Sequence, residues 1–110
     1  MKEYSEFAQY YDYLMRHVNY QAWYEYIKTI MLNYVSDPGL IIELGCGTGK
    51  FGAKFSNEGY TILGIDQSIN MLLVAKTRAY FNFKISCGDI KNFKISKNAD
   101  FIFKIYFFLN

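Results

Sequence analysis

One proline, one tryptophan, one histidine and two cysteines are all that the 110 residues hold of those four types. Each scarcity excludes something. Cys46 and Cys87 lie far apart and form no CxxC or Cys/His cluster, which excludes a disulfide scaffold and a structural zinc site. A lone His17 leaves no Ser/His/Asp set, and it is read as a surface residue with no catalytic role. No apolar run approaches bilayer length: Ile105 to Leu109 is far too short to span one. The N-terminal MKEYSEF carries two acids and no apolar h-region, so it is no signal peptide, and the expected compartment is the cytosol. No block of like charge occurs either. Twelve basic residues are interspersed with ten acidic ones, and the one local excess, Lys91 to Lys97, reads as a solvated loop rather than a nucleic-acid patch.

What is abundant is apolar material. Hydrophobic residues make up 52% of the chain, with ten phenylalanines and eleven tyrosines, so there is enough to build a core and disorder is excluded. The length suits one small domain that buries roughly two-thirds of its unfolded surface. Residues from about Tyr4 to Tyr34 carry helical patterning. Phe7, Tyr10, Tyr11 and Leu14 follow the i, i+3, i+4, i+7 template, as do Trp23, Tyr26, Ile27, Ile30, Met31 and Tyr34. Ser36-Asp37-Pro38-Gly39 stops the helix.

Beyond that point the pattern changes. Leu40 to Leu44 reads as a buried parallel strand, Gly45 to Gly49 as a tight turn, and Lys50 to Asn57 as a helix with Gly59 past its end. Tyr60 to Ile65 is the next strand, ending at Asp66. Ser68 caps a helix that runs to about Tyr80, with Met71, Leu72 and Ala75 on its inner face. Phe83 to Ser86 and Phe101 to Phe107 are two further strands. This alternation predicts an α/β, Rossmann-like open parallel sheet: residues 1–36 form a helical cap and 37–110 a βαβαββ core.

In such sheets ligands bind beyond the carboxyl ends of the strands. Glu43, Asp66 and Asp89 all fall at that edge, with the glycine turn between them. The glycines let backbone approach a ligand closely. Asp66 suits the two hydroxyls of a ribose, and Asp89 an exocyclic amine such as that of adenine. A P-loop is excluded: GxxxxGK[ST] would need glycine where Leu44 stands and Ser or Thr in place of Phe51. Gly47 to Gly52 does match GxGxxG, so an NAD(P)-binding domain stays as the alternative. Against it, Glu43 would meet an approaching pyrophosphate with negative charge, whereas a sulfonium and an ammonium would be attracted. That favours S-adenosylmethionine.

The run Glu43-Leu-Gly-Cys-Gly-Thr-Gly49 resembles motif I of class I S-adenosylmethionine-dependent methyltransferases. Gly64-Ile-Asp66-Gln-Ser68 with Met71-Leu72 resembles the second-strand motif, and Cys87-Gly-Asp89-Ile90 the adenine-contacting one. Phe7-Ala-x-x-Tyr11-Asp12-x-Leu14-Met15, with Tyr20 and Trp23 after it, is similar to the cap helices of a bacterial subgroup. The resemblance implies that Glu43 and Gly45, Cys46, Gly47 and Gly49 hold the methionine moiety, Asp66 the ribose and Asp89 the adenine amine. Gln67 and Met71 would flank the adenosine, the Ile90 N–H would reach the ring, and Tyr11 would close over the cofactor or serve as a core aromatic. Cys46 is expected to pack rather than react.

The resemblance also implies a seven-stranded sheet, of which strands in the order 3-2-1-4 are present here. The chain is therefore expected to be the N-terminal portion of a longer or split methyltransferase, or else a non-catalytic remnant. Its strand four would be an unprotected edge open to pairing. The methyl acceptor is not legible; a small molecule is expected in preference to a nucleic acid.

Overall fold

Among the described residues, polar caps and proline punctuate the chain into eight elements. In the computed structural model, which describes residues 2–91 and 99–106, α1 spans Lys2–Leu14 and α2 spans Tyr20–Tyr34. A turn over residues 15–18 separates the two helices, and Asn19 starts the second: its side chain accepts the Ala22 N–H at 3.0 Å, an N-cap. They are followed by β1 (Ile41–Leu44), α3 (Lys50–Asn57), β2 (Ile62–Asp66), α4 (Ile69–Arg78), β3 (Phe83–Cys87) and β4 (Phe101–Phe103). Ser68 caps α4 by accepting the Met71 N–H, as its position predicts. The expected strand to Phe107 is shorter, and Phe107, like most of the Lys91–Lys97 stretch, lies outside the described residues.

The four strands form one parallel sheet in the order β3-β2-β1-β4, the expected architecture. β1 is central and nearly all buried, which is why its sequence is a continuous apolar run broken only by Glu43. On one face α3 and α4 cover the strands, with α2 packed on α3 and α1 on α4. The core there joins Tyr24, Ile27 and Met31 of α2 to Ile41, Phe51, Phe55, Ile62 and Phe83. Tyr24 contributes twice, stacking edge-on to Phe55 and donating its hydroxyl to Glu58.

The buried faces of the cap helices differ from the predicted ones. In α2 the core takes Tyr24, Ile27 and Met31, while Trp23, Tyr26 and Tyr34 are exposed, Tyr34 at 82%. In α1 Ala8 is buried, as is Met15 just past its end, whereas Tyr10 and Leu14 are not, and the side chain of Phe7 lies outside the described ones. Tyrosines stand on both sides of these helices, so periodicity admitted two faces. In α2 the face that packs with Phe51 and Phe55 of α3 is the one carrying Tyr24, Ile27 and Met31.

β4 is only three residues long, and a single side chain fixes how it enters the sheet. The Asp100 carboxylate accepts the N–H groups of Gly39 and Leu40 at 2.6 and 3.1 Å, and the Asp100 N–H donates to the Leu40 carbonyl at 2.8 Å. No helix among the described residues is long and apolar enough to cross a membrane.

Gly52 sits inside α3, where glycine costs a helix about 1 kcal/mol relative to alanine. The reason is contact: a methyl there would overlap the ring of Phe83, itself buried in the core. Gly52→Ala is expected to lower stability by about 1–2 kcal/mol net, because overpacking outweighs the gain in propensity. Thermal unfolding of this variant should show a reduced Tm, partly recovered by adding Phe83→Leu; an unchanged Tm would refute the clash.

Candidate functional site

β1, β2 and β3 all end at one edge of the sheet, and the loops that follow them are stitched together there by hydrogen bonds. After β1, Gly45 and Cys46 both donate their N–H to the Ile65 carbonyl at the end of β2, at 2.7 and 3.0 Å. The turn then reverses through Gly45, Gly47 and Gly49, each at positive φ, and Gly49 becomes the N-cap of α3. Asp66 holds this arrangement at its centre. Its Oδ2 accepts the Gly47 N–H and its Oδ1 the Ser68 N–H, both at 2.9 Å, while its carbonyl accepts the Gly88 N–H at 3.0 Å. One residue thus ties together the loops after three strands. Each carboxylate oxygen keeps a lone pair for a further donor.

The edge opens into a cavity of about 550 Å³. Of the predicted site residues, Tyr11, Gly45, Gly47, Asp66, Gln67, Met71, Asp89 and Ile90 all line it. Ser68, Lys91, Leu44 and the segment Lys104–Tyr106 complete the wall. Those last three residues follow β4 directly, so the rule that ligands meet strand ends would have found them. No residue type marked them out.

The glycines fall into two classes. Methyls at Gly45 or Gly47 would project into open space, so bare backbone here leaves room for a ligand against the turn. At Gly49 a methyl would meet Ala75 and Phe83, and at Gly64 it would meet Cys46. Gly49 and Cys46 therefore stand behind the turn as packing, and neither lines the cavity. Burial pushes the Cys46 thiol pKa well up, chiefly by desolvation and further by Glu43 and Asp66. That keeps the thiol protonated.

Glu43 also lies beneath the turn rather than in the wall. It is 3% exposed, and its Oε1 is buried without a hydrogen-bond partner. Desolvation raises its pKa well above the usual carboxylate range, and the charge of Asp66 raises it further. A buried carboxyl with an idle oxygen beside a second carboxylate calls for a cation or a strong donor. Tyr11 stands at the cavity wall on α1. Burial raises its pKa, with the carboxylates of Asp12 and Asp66 adding to the shift, so its hydroxyl stays neutral and able to hydrogen-bond. On the far rim Asp89 accepts the Lys91 N–H at 2.9 Å.

A second, more open cavity of about 630 Å³ lies between α3 and the end of α4, lined by Tyr20, Lys50, Lys54 and Arg78 among others. It borders no strand end and no glycine turn. Arg78 and Lys50 both face Asp12, at 2.7 and 3.9 Å. The strand-edge cavity is the one lined by the glycine turn and by residues at the strand ends.

A family model described as a methyltransferase domain matches residues 41–109. A methyltransferase-named protein of Geobacillus sp. (strain WCH70) is 35% identical over 77 residues, covering 69% of this chain and 31% of that protein. An uncharacterized methyltransferase of Bacillus thuringiensis (strain Al Hakam) is 29% identical over 108 residues, covering 96% of this chain and 51% of its own length. Among solved structures, an S-adenosylmethionine-dependent methyltransferase from Clostridium acetobutylicum superposes with a TM-score of 0.69 at 30% identity, over 92% of this chain and 43% of that one. The chain thus spans between about a third and a half of the length of the curated relatives it matches.

Proposed function

Because the chain belongs to the methyltransferase-domain family, we propose that its strand-edge cavity binds S-adenosylmethionine and that these residues supply the cofactor-holding portion of a methyltransferase. The observation that carries this reading is the pairing of an unpartnered, buried Glu43 with a bare glycine turn in front of it. A ligand bearing positive charge and lying against the turn satisfies both.

S-adenosylmethionine would supply an activated methyl group on a sulfonium, so the protein's work is to bind, orient and exclude water. Glu43 would offset positive charge at the methionine end, and Gly45 and Gly47 would give backbone access. Asp66 would accept the ribose hydroxyls with the lone pairs its own loops leave over. Gln67 and Met71 would flank the adenosine, Asp89 would accept the adenine amine, and the Ile90 N–H would donate to the ring. Tyr11 would roof the cofactor. Gly49 and Cys46 enter only as packing that shapes the turn.

Support for a dinucleotide is weaker, although Gly47–Gly52 matches GxGxxG. The second glycine of that motif should leave backbone free for pyrophosphate, but Gly49 is covered by Ala75 and Phe83. The acceptor we propose is a small molecule, on the ground that charge is interspersed and forms no basic stripe. β4 pairs only with β1 among the described residues, and its free edge is where further strands of the domain, or a second chain, would add. The two free thiols, Cys46 and Cys87, suit a cytosolic setting.

Calorimetry of the full chain with S-adenosylhomocysteine is expected to show one site, with no displacement by excess NADH. Folded protein that prefers NADH, or binds neither, would sink the reading.

A further inference from the structure

One side chain of the cap fastens α1 to the floor beneath the cavity. Asp12 follows Tyr11 directly, and its side chain is 15% exposed. Its Oδ1 accepts the Thr48 hydroxyl at 2.7 Å, and its Oδ2 accepts Nη2 of Arg78 at 2.7 Å. Arg78 closes the ring by donating Nη1 to the Thr48 carbonyl at 2.8 Å. Lys50 Nζ stands 3.9 Å from Oδ1. A single carboxylate thus joins α1, the glycine turn and the last turn of α4.

Thr48 sits between Gly47 and Gly49, so the turn is gripped from two sides: Asp66 holds the Gly47 N–H and Asp12 the Thr48 hydroxyl. Asp12, Thr48 and Arg78 do not line the cavity; Tyr11 does. Asp12 therefore stands outside the cavity wall, one position after a residue that forms it.

We infer that Asp12 is a positioning residue: it latches α1 over the cavity and so sets affinity for the adenosyl ligand through Tyr11. The inference rests on reading the cavity as an S-adenosylmethionine site. If a ligand contacts Tyr11 only when α1 is docked, it binds the latched state better, and breaking the latch lowers affinity by the fraction of chains left latched. Removing one member of a mostly buried charge pair is the change that shifts this population most. Asp12→Asn does so at constant size, leaving an acceptor for Thr48.

The test is hydrogen exchange and calorimetry on the full chain. Without ligand, the amides of α1 should exchange about tenfold faster in Asp12→Asn, with those of α2 and the β1–β2 pair unchanged. S-adenosylhomocysteine should bind Asp12→Asn and Arg78→Gln each about tenfold more weakly, and the double variant no more weakly than Arg78→Gln alone, because that change already removes the Asp12 pair along with the bond to the Thr48 carbonyl. Unchanged α1 exchange, or losses that multiply to about a hundredfold in the double variant, would overturn the latch. Should Asp12→Asn not fold, Thr48→Val cuts one bond of the ring and is expected to give a loss of about threefold. A wild-type chain that binds no S-adenosylhomocysteine overturns the cofactor reading and the coupling with it, while the ligand-free exchange still decides whether the latch exists.

Discussion

Asp66→Ala is expected to lose S-adenosylhomocysteine binding by at least about a hundredfold, the worth of two hydrogen bonds from ribose hydroxyls to a charged acceptor. The loss has a second source within the protein. The same carboxylate holds the Gly47 and Ser68 N–H groups, so its removal also frees the glycine turn and the start of α4. Asp66→Asn separates the two contributions. Its amide can present only one acceptor oxygen to the two backbone donors, yet it fills the same space, and a loss of about tenfold is expected. Calorimetry on both variants, with thermal melts to confirm folding, makes the comparison. Wild-type affinity in Asp66→Ala would remove Asp66 from the site.

Glu43→Gln should act in opposite directions on binding and on stability. The folded-state pKa of Glu43 lies above its unfolded value because the carboxyl is desolvated and faces Asp66. Its contribution to stability is complete below the unfolded pKa and is lost as pH rises through the folded one. The ligand-free chain therefore weakens on going from acid toward neutral pH, by about 1.4 kcal/mol for each pH unit that separates the two pKa values. Glutamine does not titrate, so that slope should vanish and the variant should melt higher than the wild type at neutral pH. Binding should fall by about 10- to 100-fold, because a buried charge that would face the ligand's ammonium is gone. A melting curve that tracks the wild type across pH would show that Glu43 does not carry the titration, and unchanged affinity would show that it does not meet the ligand.

The succession of strands and helices and the edge where the cavity opens were legible because each depends on local chemistry, whereas the spatial order β3-β2-β1-β4 was implied by the family resemblance. Ser68 caps a helix wherever it precedes one, Asp66 ends an apolar strand, and glycines at alternate positions allow a tight turn. What distinguishes Gly47 from Gly49 is not local. Both hold positive φ, but only one is covered by Ala75 and Phe83, and those residues arrive from α4 and β3. The string GxGxxG therefore cannot say which glycine faces a ligand. The same limit hid Asp12, whose partners lie 36 and 66 positions away, and whose spacing on α1 looks like that of any solvent-facing acid. In α2 the difficulty was an excess of signal: aromatic residues occupy opposite faces, and packing against Phe51 and Phe55 decided between them.

The Asp100 clamp at the entrance to β4 bears on fidelity. A three-residue strand offers few ladder bonds to define its alignment, and a slip of one position would turn Phe101 and Phe103 out of the core and Ile102 into it. Asp100 binds the backbone of Gly39 and Leu40 just upstream of β1 and so sets the reading frame before the first pair, Ile41 with Phe101, is formed. A strand laid along the outer side of β4 would inherit that frame, and the alignment of everything built outward from this edge would trace back to one carboxylate.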